Sequence, residues 1–255
     1  MMQKDALPAS IRLLDNVQFR FGSALKPKPS LKQKLMSKIE KKVVVDFKGF
    51  DPHELCAATV LMEGTKEEVA YQSKVIFSLA KKFGGMAGGE GNGKRGYKLT
   101  YAIAYIRDFF ADFDVIGETY ETTVPWTNIH QVIEAVLTRS AELHKEFGLP
   151  GKPYVSPRIS QVYRTGVCIY FTHGFSAQGV DNPDEVFSKI EHELRHTILN
   201  AGGSLSHHHG IGKIRKDFMD TTISPATVAL LRDLKKANDP NNVFGIRNNV
   251  FFDQQ

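Results

Sequence analysis

The stretch "RISQVYRTGVCIYFTHGF", Arg158–Phe175, decides the fold of this chain. Two runs rich in β-branched and aromatic residues flank Thr165-Gly166, a pattern that reads as two short strands joined by a turn. Upstream, "VIGETYETTVPW", Val115–Trp126, reads as a strand reaching a proline stop, and "LCAATVLMEG", Leu55–Gly64, as a buried strand closed by Gly64. Strands that follow one another through a turn pair antiparallel.

Helices fill the intervals. Thr65 reads as an N-cap with Glu68 completing a capping box, and Phe83-Gly84-Gly85 ends that helix. The glycine-rich "GGMAGGEGNGKRGY" reads as a loop, followed by helical apolar spacing over residues 98–112. A further helix is expected from about Asn128 to Phe147. Another is opened by Asn182-Pro183 and stopped by Gly202-Gly203, and a last one follows Ser224-Pro225. The strands and helices do not alternate regularly enough for a doubly wound parallel sheet. The fold class is therefore α+β, an antiparallel sheet covered by helices on one face.

Residues 1–50 look basic and irregular, with "LKPKPSLKQKL" as a hinge-like connector and a helix expected over Leu31–Lys41 behind Ser30. A chain of 255 residues, 42% hydrophobic and 24% charged, is ordinary for a soluble globular protein. The net charge of +5 favours an anionic ligand or an acidic lipid surface, but is too diffuse to argue for nucleic acid. Cys56 and Cys168 lie far apart in apolar runs and read as two buried thiols in a reducing compartment. The start lacks the apolar core of a signal peptide, and no window reaches the length of a membrane span.

Two motifs invite chemistry. "HELRH", His192–His196, matches the zinc-protease pattern, but the stripe Val186, Ile190, Leu194 and Ile198 turns both histidines to the opposite face, and no third ligand follows. A solvated polar face explains it. In "GGSLSHHHGIGKIRKDFM", Gly202–Met219, the Walker pattern fails because Ile214 follows Lys213. Successive side chains alternate in an extended chain, so at most two of the three imidazoles converge on one metal. No metal is expected. Imidazoles and glycine amides instead suit an electron-rich ring or a phosphate, with Lys213 or Arg215 meeting negative charge; a plain basic surface loop is the alternative.

Six segments carry a resemblance: "PASIRLLDN", "FKGFD", "RGYKLTYAIAYIRD", "VCIYF", "GGSLSHHHGIGKIRK" and "DPNNVFGIRN". Together they resemble the alkyldihydroxyacetonephosphate synthase family, flavoproteins of the vanillyl-alcohol-oxidase superfamily. The resemblance runs from about Pro8 to Asn249. Related flavin dehydrogenases of 2-hydroxy acids have Gly-Glu-His-Gly where this chain has His208-His209-Gly210 preceded by His207.

The resemblance implies an FAD-dependent transferase with no net redox change. The acyl group of 1-acyl-dihydroxyacetone phosphate is replaced by a long-chain fatty alcohol, the ether-forming step of plasmalogen synthesis, with FAD as a covalent electrophile. Tyr170 then matches the proton donor and acceptor, a phenol of ordinary pKa about 10. On sequence alone it reads as a strand aromatic packed in a core. Arg107 matches the substrate-binding arginine, and an ion pair with Asp108 is its bland alternative. His207, His208 and His209 match the required triple. Arg12 matches an arginine on which activity depends, and Ile246, Arg247, Asn248, Asn249 and Val250 match a tail needed for activity.

The resemblance also implies a peroxisomal homodimer in peripheral contact with the membrane. Phe109, Phe110 and Phe113 follow Arg107 and are expected either to pack in the core or to line an alkyl channel. The pyrophosphate loop that holds FAD in the family has no counterpart here. Residues 1–50 are thus expected to connect to an FAD-binding domain outside the chain, residues 51–255 to form the cap domain, and the chain by itself to bind FAD poorly. The alternatives are the cap of an FAD-linked 2-hydroxy-acid dehydrogenase and a non-catalytic lipid-phosphate module.

Overall fold

The structure, a computed structural model, describes residues 1–25, 42–245 and 247–251. Among the described residues five strands form one sheet: β1 (Ser10–Leu14), β2 (Ala57–Leu61), β3 (Val115–Pro125), β4 (Tyr154–Val162) and β5 (Gly166–Ser176). Their order is β2-β1-β4-β5-β3, and every neighbouring pair is antiparallel. The expected α+β class and the β4–β5 hairpin are both present.

The helices are α1 (Asn16–Ala24), α2 (Lys66–Lys82), α3 (Glu90–Ala111), α4 (Ile129–Glu146), α5 (Pro183–Asn200), α6 (Met219–Thr222) and α7 (Pro225–Asn238). The Thr65–Glu68 capping box forms as read, with both reciprocal hydrogen bonds. Proline starts both α5 and α7, where its missing N–H is not needed.

The main core lies between one face of the sheet and the pair α4/α5. Tyr120, Val124, Val167, Ile169 and Phe171 meet Val132, Val136 and Leu143 of α4 and Phe187, Ile190, Leu194 and Ile198 of α5. Each such side chain contributes about 1.5–3 kcal/mol on burial. Because strand residues alternate, burying Tyr120 and Phe171 turns Glu121 and Tyr170 to the other face.

That second face is partly roofed by α1 and α3. Gln18 of α1 donates to the Thr172 hydroxyl, and Phe110 of α3 packs on Phe21 of α1 at 5.8 Å. α3 contacts both β2 and β3, the two outer strands, so it spans the width of the sheet.

Several sequence expectations are corrected. Residues 10–24 are not connector: β1 inserts between β2 and β4, and Asp15 both caps α1 and bonds Ser156 of β4. The helix expected over Leu31–Lys41 lies outside the described residues. The glycine-rich loop is helical from Glu90, and at Gly96 a Cβ would press on Thr59 of β2, so the glycine permits close approach of helix and sheet. Cys56 is exposed and only Cys168 is buried. The polar face of α5 is not merely solvated: Arg195 is buried, and His192 and His196 both pack on Phe218 at 4.7 Å.

Within the α4–β5 core His173 is 2% exposed, 3.3 Å from the Ser140 hydroxyl and beside His144, whose ring nitrogens have no partner. Burial, reinforced by His144, pushes the His173 pKa down to about 4. The unfolded chain takes up that proton near the ordinary value of about 6.5, so the stabilisation is complete above this and lost as pH falls toward 4. Urea denaturation at pH 7.5 and pH 4.5 is expected to show this loss, up to roughly 3 kcal/mol, and His173→Gln to flatten it. At the β4–β5 turn a Cβ on Gly166 would enter the Val124 carbonyl. Gly166→Ala is therefore expected to cost about 1–3 kcal/mol in the same assay at pH 7.5.

Candidate active site

The second face of the sheet carries one transverse row. Glu121 of β3 stands opposite Tyr170 of β5, Tyr170 opposite Arg158 of β4, and Arg158 opposite Leu14 of β1. A carboxylate, a phenol and a guanidinium thus lie side by side across three strands.

Glu121 is fully buried and anchors the histidine loop. The His207 backbone N–H donates to Oε2 at 2.6 Å; the N–H groups of His208 and His209 and the Ser206 hydroxyl donate to Oε1 at 3.1, 2.9 and 2.8 Å. Burial works to raise the Glu121 pKa, but these four bonds outweigh it, and the carboxyl is held below its ordinary range. The loop is braced from behind as well. Arg195 donates to the carbonyls of Glu121 and Leu205 and to the Glu191 carboxylate, and Arg215 donates to the Gly210 carbonyl.

A second small core, Leu205, Phe218, Met219, Val228 and Val250, forms the floor. The tail joins the loop here: the Asn249 N–H donates to the Gly212 carbonyl at 3.0 Å, and Arg232 Nε to the Val250 carbonyl at 2.9 Å. Ile246 lies outside the described residues, Arg247 is exposed, and the Asn248 carbonyl accepts from Phe251.

Anchored this way, the imidazoles diverge. His207 Nε2 is 2.6 Å from the Tyr163 hydroxyl, and its Nδ1 is 2.8 Å from His208 Nδ1, so one of these two nitrogens carries the hydrogen and the other accepts it. His209 turns to the row, placing Nε2 3.1 Å from the Tyr170 hydroxyl, which also bonds the Thr119 hydroxyl at 3.0 Å. Burial pushes the His209 pKa down, Glu121 opposes this, and His208, Arg215 and Arg195 add to it. His209 is thereby biased to the neutral form, which can accept the phenolic proton. Glu121, Cys168, His207 and His208 also bring one potential ligand atom each within 4.8 Å of one another, but both Glu121 oxygens are already engaged by the loop.

The structure gathers Tyr170 with the three histidines and sets Arg12 near Arg158. It does not gather Arg107. That side chain is exposed at the edge of the sheet, 3.2 Å from Glu118 and 3.5 Å from Asp108. The cation beside the phenol is Arg158 instead, 4.7 Å above the Tyr170 ring. Phe109 and Phe113 are exposed, while Phe110 packs on Phe21. Sequence reading missed Glu121, Arg158, Thr119, Tyr163 and Arg195; the only signal for the first three is strand register, which a sequence does not print.

The family profile "FAD linked oxidases, C-terminal domain" matches residues 1–246. The chain belongs to this family. Among proteins of the FAD-linked family it is 43% identical, over 94% of its length, to the alkyldihydroxyacetonephosphate synthase of Caenorhabditis elegans, and covers 40% of that protein. It is 27% identical to the synthase of Dictyostelium discoideum, again over 94% of its length and 39% of the relative. A solved structure titled as an alkyldihydroxyacetonephosphate synthase superimposes with a TM-score of 0.66 at 24% identity, over 93% of this chain and 38% of the other, and shares the fold. The chain thus spans about two fifths of the length of these relatives.

The donor set suits the flat, electron-poor ring of FAD: the Tyr170 hydroxyl and the His208 and His209 imidazoles are hydrogen-bonding groups, and nothing lies within 4 Å of a Cβ added at Gly210 or Gly212, which leaves the loop backbone open to close approach. The Arg158 Nε is buried beside them without a partner.

Glu121→Gln replaces one acceptor oxygen with an NH2 that faces a backbone donor. Each buried donor left unpaired costs about 1–3 kcal/mol. Hydrogen exchange at the His207–His209 amides is expected to quicken more than about tenfold, with the α4/α5 core unchanged; equal protection in both proteins would contradict the anchor role.

Proposed function

We propose that this chain is the substrate-facing part of an FAD-dependent alkyldihydroxyacetonephosphate synthase. The reaction replaces the acyl group of 1-acyl-dihydroxyacetone phosphate by a long-chain fatty alcohol in ether-lipid synthesis. The observation that carries this reading is the Tyr170 hydroxyl held between Thr119 and His209 on the loop-bearing face. The membership of the family and the 43% identity to a synthase support it.

What a bound FAD supplies is an electron-poor ring able to act as an electrophile. The rings of His208 and Tyr170 and the open loop at Gly210 and Gly212 are the residues that would hold it here. Tyr170 moves the proton that each half of the exchange requires, and neutral His209 takes or returns it through the 3.1 Å contact. Arg107 contributes to substrate binding from the sheet edge, where its fork suits phosphate or carboxylate once it exchanges Glu118 and Asp108 for the ligand. Phe109 and Phe113, exposed on the same helix, offer apolar surface to the alkyl chain. The tail Arg247–Val250 and Arg12 act by position, through the loop floor and the neighbouring Arg158.

The same reading includes peroxisomal residence, homodimer formation and peripheral membrane contact. Among the described residues no helix is long and apolar enough to cross a membrane.

The test is hexadecanol-dependent release of labelled fatty acid from acyl-dihydroxyacetone phosphate, using the FAD-loaded polypeptide that carries this chain. Tyr170→Phe is expected to lower turnover at least about 100-fold while leaving bound flavin unchanged. Reduction of an added dye by lactate or glycolate, without alcohol-dependent release, would assign the chain to a 2-hydroxy-acid dehydrogenase and sink the reading.

A further inference from the structure

Arg158 is a cation without a counter-ion in a site where the other charges are matched. Its neighbours make the contrast. Arg195 donates to two carbonyls and to Glu191, and Arg215 to the Gly210 carbonyl. Glu121 is saturated by four donors of the histidine loop. The Arg158 side chain makes no hydrogen bond or ion pair with any described residue; its Nε is buried without a partner, and its guanidinium lies over the face of the Tyr170 ring. The ionisable neighbours that act on it are Tyr170, Arg12 and Cys168, none of them a carboxylate, and Arg12 adds like charge from β1. A half-buried guanidinium loses water, and a ring face restores only part of what it loses unless an anion also meets it.

The stacking fixes how such an anion is met. Arginine on an aromatic face keeps its planar N–H fork free for a planar or tetrahedral oxyanion, and the ring restrains its rotation in advance. The phenolic hydroxyl of the same tyrosine lies at the edge of that surface, held by His209 and Thr119. We infer that the face of β4 and β5 beside Tyr170 is an oxyanion-binding subsite, with Arg158 as its principal ligand and the Tyr170 hydroxyl at its rim. The subsite is separate from Arg107, which stands at the sheet edge engaged by Glu118 and Asp108. The proposed function is needed only to name the anion: a carboxylate would be the departing acyl group, a phosphate monoester the substrate headgroup.

Isothermal calorimetry on the chain, without flavin, tests this with hexanoate and with glycerol 3-phosphate in separate titrations at low salt. One of the two is expected to bind with a Kd of roughly millimolar or better, and the one that binds identifies the source of the anion. Arg158→Gln is expected to weaken that ligand at least about tenfold, and Arg158→Lys, which keeps the charge but loses the fork, about three- to tenfold. Arg139→Gln, on the far face and paired with Glu142, Glu146 and Glu193, is expected to bind as the parent does. No binding of either anion up to about 20 mM, or parental affinity in Arg158→Gln, overturns the subsite. If circular dichroism finds Arg158→Gln unfolded, Arg158→Lys decides, and parental affinity there overturns it equally. The failure of alcohol-dependent acyl release would leave these titrations untouched, so the two readings fail separately.

Discussion

Everything at the site depends on one buried carboxylate meeting three consecutive backbone amides. Glu121 is out of contact with water, yet the N–H groups of His207, His208 and His209 and the Ser206 hydroxyl replace its hydration. That contact fixes the backbone at three neighbouring residues, so their side chains must leave in three directions. One imidazole goes to Tyr163, one to its neighbour, and one to Tyr170. The triple histidine is therefore a way of turning a single anchored backbone into a divergent wall of rings.

The sheet separates this polar wall from the core that stabilises it. On β5 the even-numbered Tyr170 and Thr172 face the site, and the odd-numbered Ile169, Phe171 and His173 face α4 and α5. The row Glu121–Tyr170–Arg158 sits over apolar packing that holds its strands in register. The small core around Phe218 and Val250 does the same for the loop, and it accounts for a tail segment being tied to a site more than thirty residues earlier in the chain.

Local signals were legible in the sequence; distant ones were not. The Thr65–Glu68 box, the Asn182-Pro183 start and the β4–β5 hairpin all depend on residues close along the chain, and they form as read. β1 was invisible because its identity as a strand comes from partners at Thr59 and Ile159, far away in sequence. The helical glycines of α3 were misread for the reason that Gly96 answers to Thr59 rather than to its own neighbours. At the site, the histidines announced themselves by composition and Tyr170 by resemblance. Glu121 and Arg158 gave no sign, since a lone acid and a lone base in two strands acquire meaning only when pairing sets them on either side of a phenol. Arg107 was conspicuous in sequence and stands aside in space, paired with Glu118.

The strict alternation along β5 limits how the chain can vary. Adding or removing one amino acid between Val167 and Phe175 would invert the phase of everything beyond it, sending a phenol into grease and a phenylalanine toward the histidine loop. Length polymorphism in this strand is thus closed, whereas the exposed loop at Gly84–Gly89 is free to grow or shrink. Divergence of the pocket has to proceed by exchanging side chains one at a time on an unchanging ruler.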